Sequence, residues 1–225
     1  MAIVVALGFV LFAGGGLVAG LMIWREPGVR GVAGADRSAS VVASMRLASG
    51  RLDESTRRAM VGPATMVLPD EPYALDPEPK HLDGVIDVIF LANAPVHADY
   101  DGRQDWLATV ALVQLSPQLD RGADLEQAGR RAVWQLSRLF FGHHPTRIST
   151  LSFADRAVDG HSGMEFTAEV HYRISGLASR YDRVVVRMVR ADDGSLIAAL
   201  SSVPDDASQQ VADLATRSLD SLELR

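Results

Sequence analysis

The 225-residue chain has no cysteine, a single lysine at position 80 and only 6% aromatic residues. Without a thiol it has no disulfide, thiolate nucleophile, zinc–thiolate site, iron–sulfur cluster or lipid-bearing N-terminal cysteine. Its 22 cationic side chains face 28 acidic ones, a net charge of −6. That balance excludes bulk nucleic-acid binding, which needs many Lys and Arg to displace counterions. Local catalytic motifs are missing as well. No Gly-x-Ser-x-Gly, Ser-x-x-Lys or His-Glu-x-x-His occurs, and no glycine-rich phosphate loop follows a strand. The prediction is therefore a non-enzymatic chain with no catalytic residues, metal or cofactor. A hydrophobic fraction of 48% is ample for a folded core and excludes full disorder.

What the chain does have is an uncharged start. Met1 to Trp24 carries no Asp, Glu, Lys or Arg. At about 1.5 Å per residue a helix of this length covers a hydrocarbon core of about 30 Å. Trp24 and Arg25 suit the interface that follows. A cleaved signal peptide would have a cationic start and a shorter apolar stretch, so residues 1–24 are predicted to be a retained transmembrane helix, a single-pass anchor in the cell membrane. Gly16 and Gly20 make a GxxxG pair that lets two helix backbones approach, a predicted partner contact. Orientation has two readings. Arg25, Arg30 and Arg37 after the span favour a cytoplasmic body, but the rule weakens for long domains.

Residues 25–62 read as a stalk: a Gly/Pro-rich part, then weak helical spacing broken by Gly50. From Pro63 to Arg225 short apolar runs alternate with turn signals. Strands are predicted at 64–68, 84–92 and 106–115, with a proline-studded loop (Pro69, Pro72, Pro77, Pro79) between the first two. Asp124 and Gln127 form a capping box opening a helix to about Phe141, with Leu125, Ala128, Ala132, Leu136 and Leu139 as its apolar stripe. Then comes a four-strand meander at 148–153, 164–174, 181–189 and 196–203, with turns at Asp159-Gly160, Ser175-Gly176 and Asp193-Gly194. A last helix is predicted after Pro204, capped by Asp205 or Asp206. Consecutive hairpins imply an antiparallel sheet, and the helices make the class α+β.

Trp134 and Phe141 lie seven residues apart, on one side of the first helix and away from its stripe. Both are candidate partner-binding residues, either covered by the proline-rich loop or stalk or exposed as anchors. His143 and His144 follow that helix. Adjacent imidazoles point apart, so they favour the helix C-terminus rather than a metal, with His161 and His171 distant in sequence; the alternative is a membrane-bound hydrolase whose site, using His143, His144 or His161, forms only by folding. Arg173, Arg180, Arg183, Arg187 and Arg190 either pair with Glu165 and Glu169 across strands or form a basic strip for an anionic lipid or acidic partner.

Three stretches, ATVALVQLSPQLDRGADLEQAGRRAVWQL, VDGHSGMEFTAEVHYR and RVVVRMVRADDGSLIAALSSVPDDA, together with the last helix, resemble the Mog1/PsbP-like α/β/α sandwich of actinobacterial envelope proteins of the LpqN type. The resemblance spans about Trp106 to Leu224. It departs in having no lipobox cysteine and a longer loop before Trp106. It implies an extracytoplasmic accessory domain that binds a protein or lipid-like partner.

Overall fold

The computed structural model describes residues 50–225 apart from 121–123 and 143. Its first elements are four strands, β1 (Gly50–Asp53), β2 (Arg58–Val61), β3 (Ala64–Val67) and β4 (Ala74–Leu82), followed by the long β5 (Ile86–His97) and β6 (Trp106–Leu115). A single turn α1 (Pro117–Asp120) precedes the helix α2 (Leu125–Phe141). The meander β7 (Thr146–Asp155), β8 (Gly163–Tyr172), β9 (Tyr181–Arg190) and β10 (Leu196–Pro204) comes next, then α3 (Gln209–Asp220) and β11 (Glu223–Leu224).

Seven strands form one antiparallel sheet in the order β4-β5-β6-β10-β9-β8-β7. Two runs of neighbouring strands meet where β10 pairs with β6, Leu200 opposite Ala111. These two strands are apolar on both faces, and they occupy the centre, where both faces are covered. β4 carries Pro77 and Pro79 and lies at an edge, with register shifts between Asp76 and Lys80 and on to Leu82. A proline lacks the ladder donor, so an edge is where it fits.

Each face has its own core. On one side Phe90, Val110 and Ile197 pack with Met66, Tyr73, Leu214 and Leu219, from the small sheet β1-β2-β3-β11, the segment after it and α3. On the other, α2 brings Ala128, Ala132 and Leu136 onto Phe166, Val186 and Leu200. Gly129 sits so close to the sheet that an added Cβ would lie 1.9 Å from the Phe166 ring. The fold is thus α+β, an antiparallel sheet with helices on both sides.

Several expectations change. β1 and β2 fall within the segment read as stalk, and they pair with each other and with β3 rather than forming weak helix. Pro77 and Pro79, expected in a loop, stand in β4. The cap of α3 is Ser208, whose hydroxyl accepts from the Val211 amide at 3.3 Å, because Asp205 and Asp206 are engaged elsewhere. The predicted transmembrane helix, with Gly16 and Gly20, lies outside the described residues. Among those described, no helix is long and apolar enough to cross a membrane.

Candidate functional site

At one end of the large sheet, β5 and β8 finish, β6 and β9 begin, and β10 runs out toward α3. Strand parity sends Tyr172, Asp182 and Ser202 to the α2 side at this end, in line with Val170, Val184 and Leu200. Trp106 opens β6 beside them. The Tyr172 hydroxyl donates to Asp182 Oδ1 at 2.6 Å, and the Trp106 indole donates to the Tyr172 oxygen at 3.0 Å. From the other side the Ser202 hydroxyl donates to Asp182 Oδ2 at 2.7 Å. Asp182 is only 2% exposed.

Burial dominates its acidity. The Asp182 carboxyl is pushed up to about 6, although the Ser202, Tyr172 and Trp106 donors all pull it down. Burial and the Asp182 charge also push the Tyr172 phenol well above its ordinary range. Around these groups Trp106 meets Tyr172 at 4.8 Å between centroids, Tyr100 at 5.7 Å edge-on, His144 at 5.9 Å and Phe141 at 6.0 Å.

A second polar cluster adjoins the first. The Ser179 hydroxyl donates to Asp206 Oδ1, while His97 Nε2 lies 2.7 Å from Ser179 Oγ and 3.0 Å from Asp206 Oδ2. Burial acts to raise the Asp206 carboxyl, but the Ser179 and His97 contacts outweigh it and hold the group below its usual range. Serine, histidine and aspartate are together, yet not as a nucleophile relay. A relay uses one ring nitrogen for the serine and the other for the acid. Here the same Nε2 faces both, the Ser179 proton is committed to Asp206, and Ser179 is 4% exposed. The cluster acts as a clamp joining the end of β5, the β8–β9 loop and the turn into α3.

The predicted site residues separate. Trp134 is 51% exposed on the outer side of α2, with the Arg138 guanidinium 4.8 Å over its ring. Phe141 is corrected as an exposed anchor or a residue under the proline-rich loop: at 4% exposure it packs on Trp106 and Tyr172. It lies in the last turn, where the helix end meets the sheet end, so that flank is no longer open. His144 and His161 lie at opposite ends of β7, the latter 3.4 Å from Asp192. His143 lies outside the described residues. His171 pairs with Glu169 at 3.2 Å. Among the described residues no group of three or more His, Asp or Glu is placed to hold a metal.

The arginine strip is interrupted. Arg187 is buried and bonds Glu165 at 2.6 Å and Asp220 at 2.7 Å, whereas Arg173, Arg180 and Arg183 are exposed. Sequence reasoning missed Asp182. Its signal was parity: in β9 it shares the face of Val184, Val186 and Met188, where a carboxylate must find partners.

No family model matches this chain, and no curated protein matches it. Among solved structures it is similar to the solution structure of cyanobacterial PsbP from Synechocystis, with 14% sequence identity and a TM-score of 0.44, over 85% of this chain and 98% of that one.

Proposed function

We propose that this chain is a non-enzymatic accessory protein of an actinobacterial-type cell envelope, anchored in the membrane by residues 1–24 and binding a protein or lipid-like partner. The observation that carries the binding role is Trp134, the one exposed large hydrophobic among the described residues. A tryptophan half in water on a helix whose other side is fully used to cover the sheet has no structural duty there. The polar cluster beneath Trp106 supports the same reading, since its donors and acceptors satisfy one another and leave no reacting group directed outward. The body is placed outside the cytoplasm on the strength of the envelope resemblance. A cytoplasmic body, favoured by Arg25, Arg30 and Arg37, is the competing orientation.

A photoreactive residue at position 134 of the full-length chain in its native membrane tests the binding role. Crosslinks to a partner or lipid from position 134, absent from exposed position 213 on the outer side of α3, are expected. Equal labelling from both positions overturns the reading. Protease added to intact cells tests sidedness, and an untouched body would place it in the cytoplasm. A structural subunit of a larger membrane complex is the second reading, favoured by the Gly16/Gly20 spacing. It requires the detergent-solubilised chain to run larger than a monomer.

A further inference from the structure

We infer that the outer face of α2 docks on an anionic lipid surface, with Trp134 entering the headgroup layer and arginines on either side of it meeting lipid phosphates. This deepens the partner role above and rests on the reading of residues 1–24 as an anchor.

The face is a stripe. Arg130, Trp134 and Arg138 are spaced four apart, so they follow one another along one side of the helix. Each arginine is held against an aromatic ring. The Arg138 guanidinium lies 4.8 Å over Trp134, and that of Arg130 lies 3.9 Å over Phe153 of the neighbouring strand β7. Arg130 is also paired with Glu126 at 2.7 Å, whereas Arg138 has no carboxylate in ion-pair range among the described residues. In a chain of net charge −6, this stripe carries two arginines, Arg130 and Arg138, against one acid, Glu126, while Arg131 of the same helix turns to the Leu119 carbonyl. The stripe is therefore weakly positive on a negative molecule.

Chemistry selects lipid over protein. A stable protein interface buries roughly 800 Å² on each partner around several apolar anchors. Only one exposed large apolar side chain stands here, flanked by guanidinium groups. A bilayer surface asks for less: an indole is at home in the headgroup layer, and each nearby arginine is drawn to anionic lipid.

The test uses the full-length chain in vesicles of phosphatidylcholine, with or without phosphatidylglycerol, with lipids brominated high on the acyl chains to quench nearby indoles. Subtracting a Trp134→Phe variant isolates the α2 signal, and subtracting Trp24→Phe isolates the anchor signal. Quenching of Trp134 is expected in the anionic vesicles and several-fold less in the neutral ones. It should fall with added salt, and by roughly tenfold with Arg138→Glu, while Trp24 is unaffected. Near-ultraviolet circular dichroism checks that the variants keep the fold. A Trp134 signal of zero, or one indifferent to lipid charge, salt and Arg138→Glu, overturns the proposal. A signal that follows the protein-to-lipid ratio instead overturns it in favour of a second copy. An unquenched Trp24 beside a quenched Trp134 removes the anchor reading alone; the reverse removes this one alone.

Discussion

Asp182 puts a carboxylate among apolar side chains with three donors around it. Its folded acidity lies near 6 against an ordinary 3.8, so between those values the folded chain binds a proton that the unfolded chain has released. Stability from this group is therefore fully present below 3.8 and declines as pH rises to about 6, by on the order of 3 kcal/mol. Asp182→Asn keeps the acceptor for Tyr172 and Trp106 and turns an amide toward Ser202, whose oxygen can accept. Denaturant titrations at a series of pH values should show the decline in the wild type and its absence in Asp182→Asn. An equal decline in both would assign the effect to other groups. Gly129 makes the opposite kind of constraint. Its replacement by alanine must push α2 off Phe166, and a loss of about 1–3 kcal/mol is expected from the same titration at one pH.

At the scale of elements, the local signals were strong wherever the energy is local. The Asp124 cap stands as the sequence predicts, its carboxylate accepting from the Gln127 backbone amide at 2.8 Å. The Gln127 side chain donates to the same carboxylate at 3.1 Å instead of closing a capping box on the Asp124 backbone. The helix end at Phe141 stands as predicted. The Asp159-Gly160 hairpin does too, both residues having the positive φ that its turn requires. The α3 cap departs from Asp205 and Asp206 because three oxygen-bearing residues compete within four positions, and long-range partners decide among them. The Arg180 amide takes Asp205, Ser179 and His97 take Asp206, and Ser208 remains for the helix. Ser208→Ala should accordingly cost about 1 kcal/mol by thermal or denaturant unfolding. Asp206→Ala should instead loosen the β8–β9 loop, read as faster amide exchange there. Comparable exchange in that loop and unaltered stability in Ser208→Ala would reverse the assignment.

Over the whole molecule, closure depends on residues far apart in sequence. β11 pairs with β3, the Leu224 amide donates to Asp159 Oδ2 at 2.8 Å, and the Arg225 amide donates to the Pro63 carbonyl. Arg187 ties β9 to Glu165 on β8 and to Asp220 at the end of α3, and Arg156 joins the same two acids. Leu224 fills the core beneath the small sheet. Leu224→Ala should lower stability by about 2–5 kcal/mol by denaturant unfolding, and Glu223→Ala, on an exposed position, by far less. Equal losses would mean that the ion pair of Glu223 with Arg58, rather than burial, holds the strand.

Local sequence suffices for the antiparallel hairpins, the reach and apolar stripe of α2, and the exclusion of thiol chemistry. Those follow from residue type, period and turn chemistry, which act over a few positions. Tertiary structure alone decided that β10 joins β6, that β1 and β2 belong to the folded body, that Phe141 is buried while Trp134 is not, and that Asp182 meets Trp106, Tyr172 and Ser202. Four-residue strands such as β1 and β2 carry too little local preference to declare themselves, and their stability comes from pairing with β3. Phe141 and Trp134 share a helical side, so only the neighbours at the helix end distinguish them. A buried carboxylate, likewise, is set by partners that approach only once the sheet is assembled.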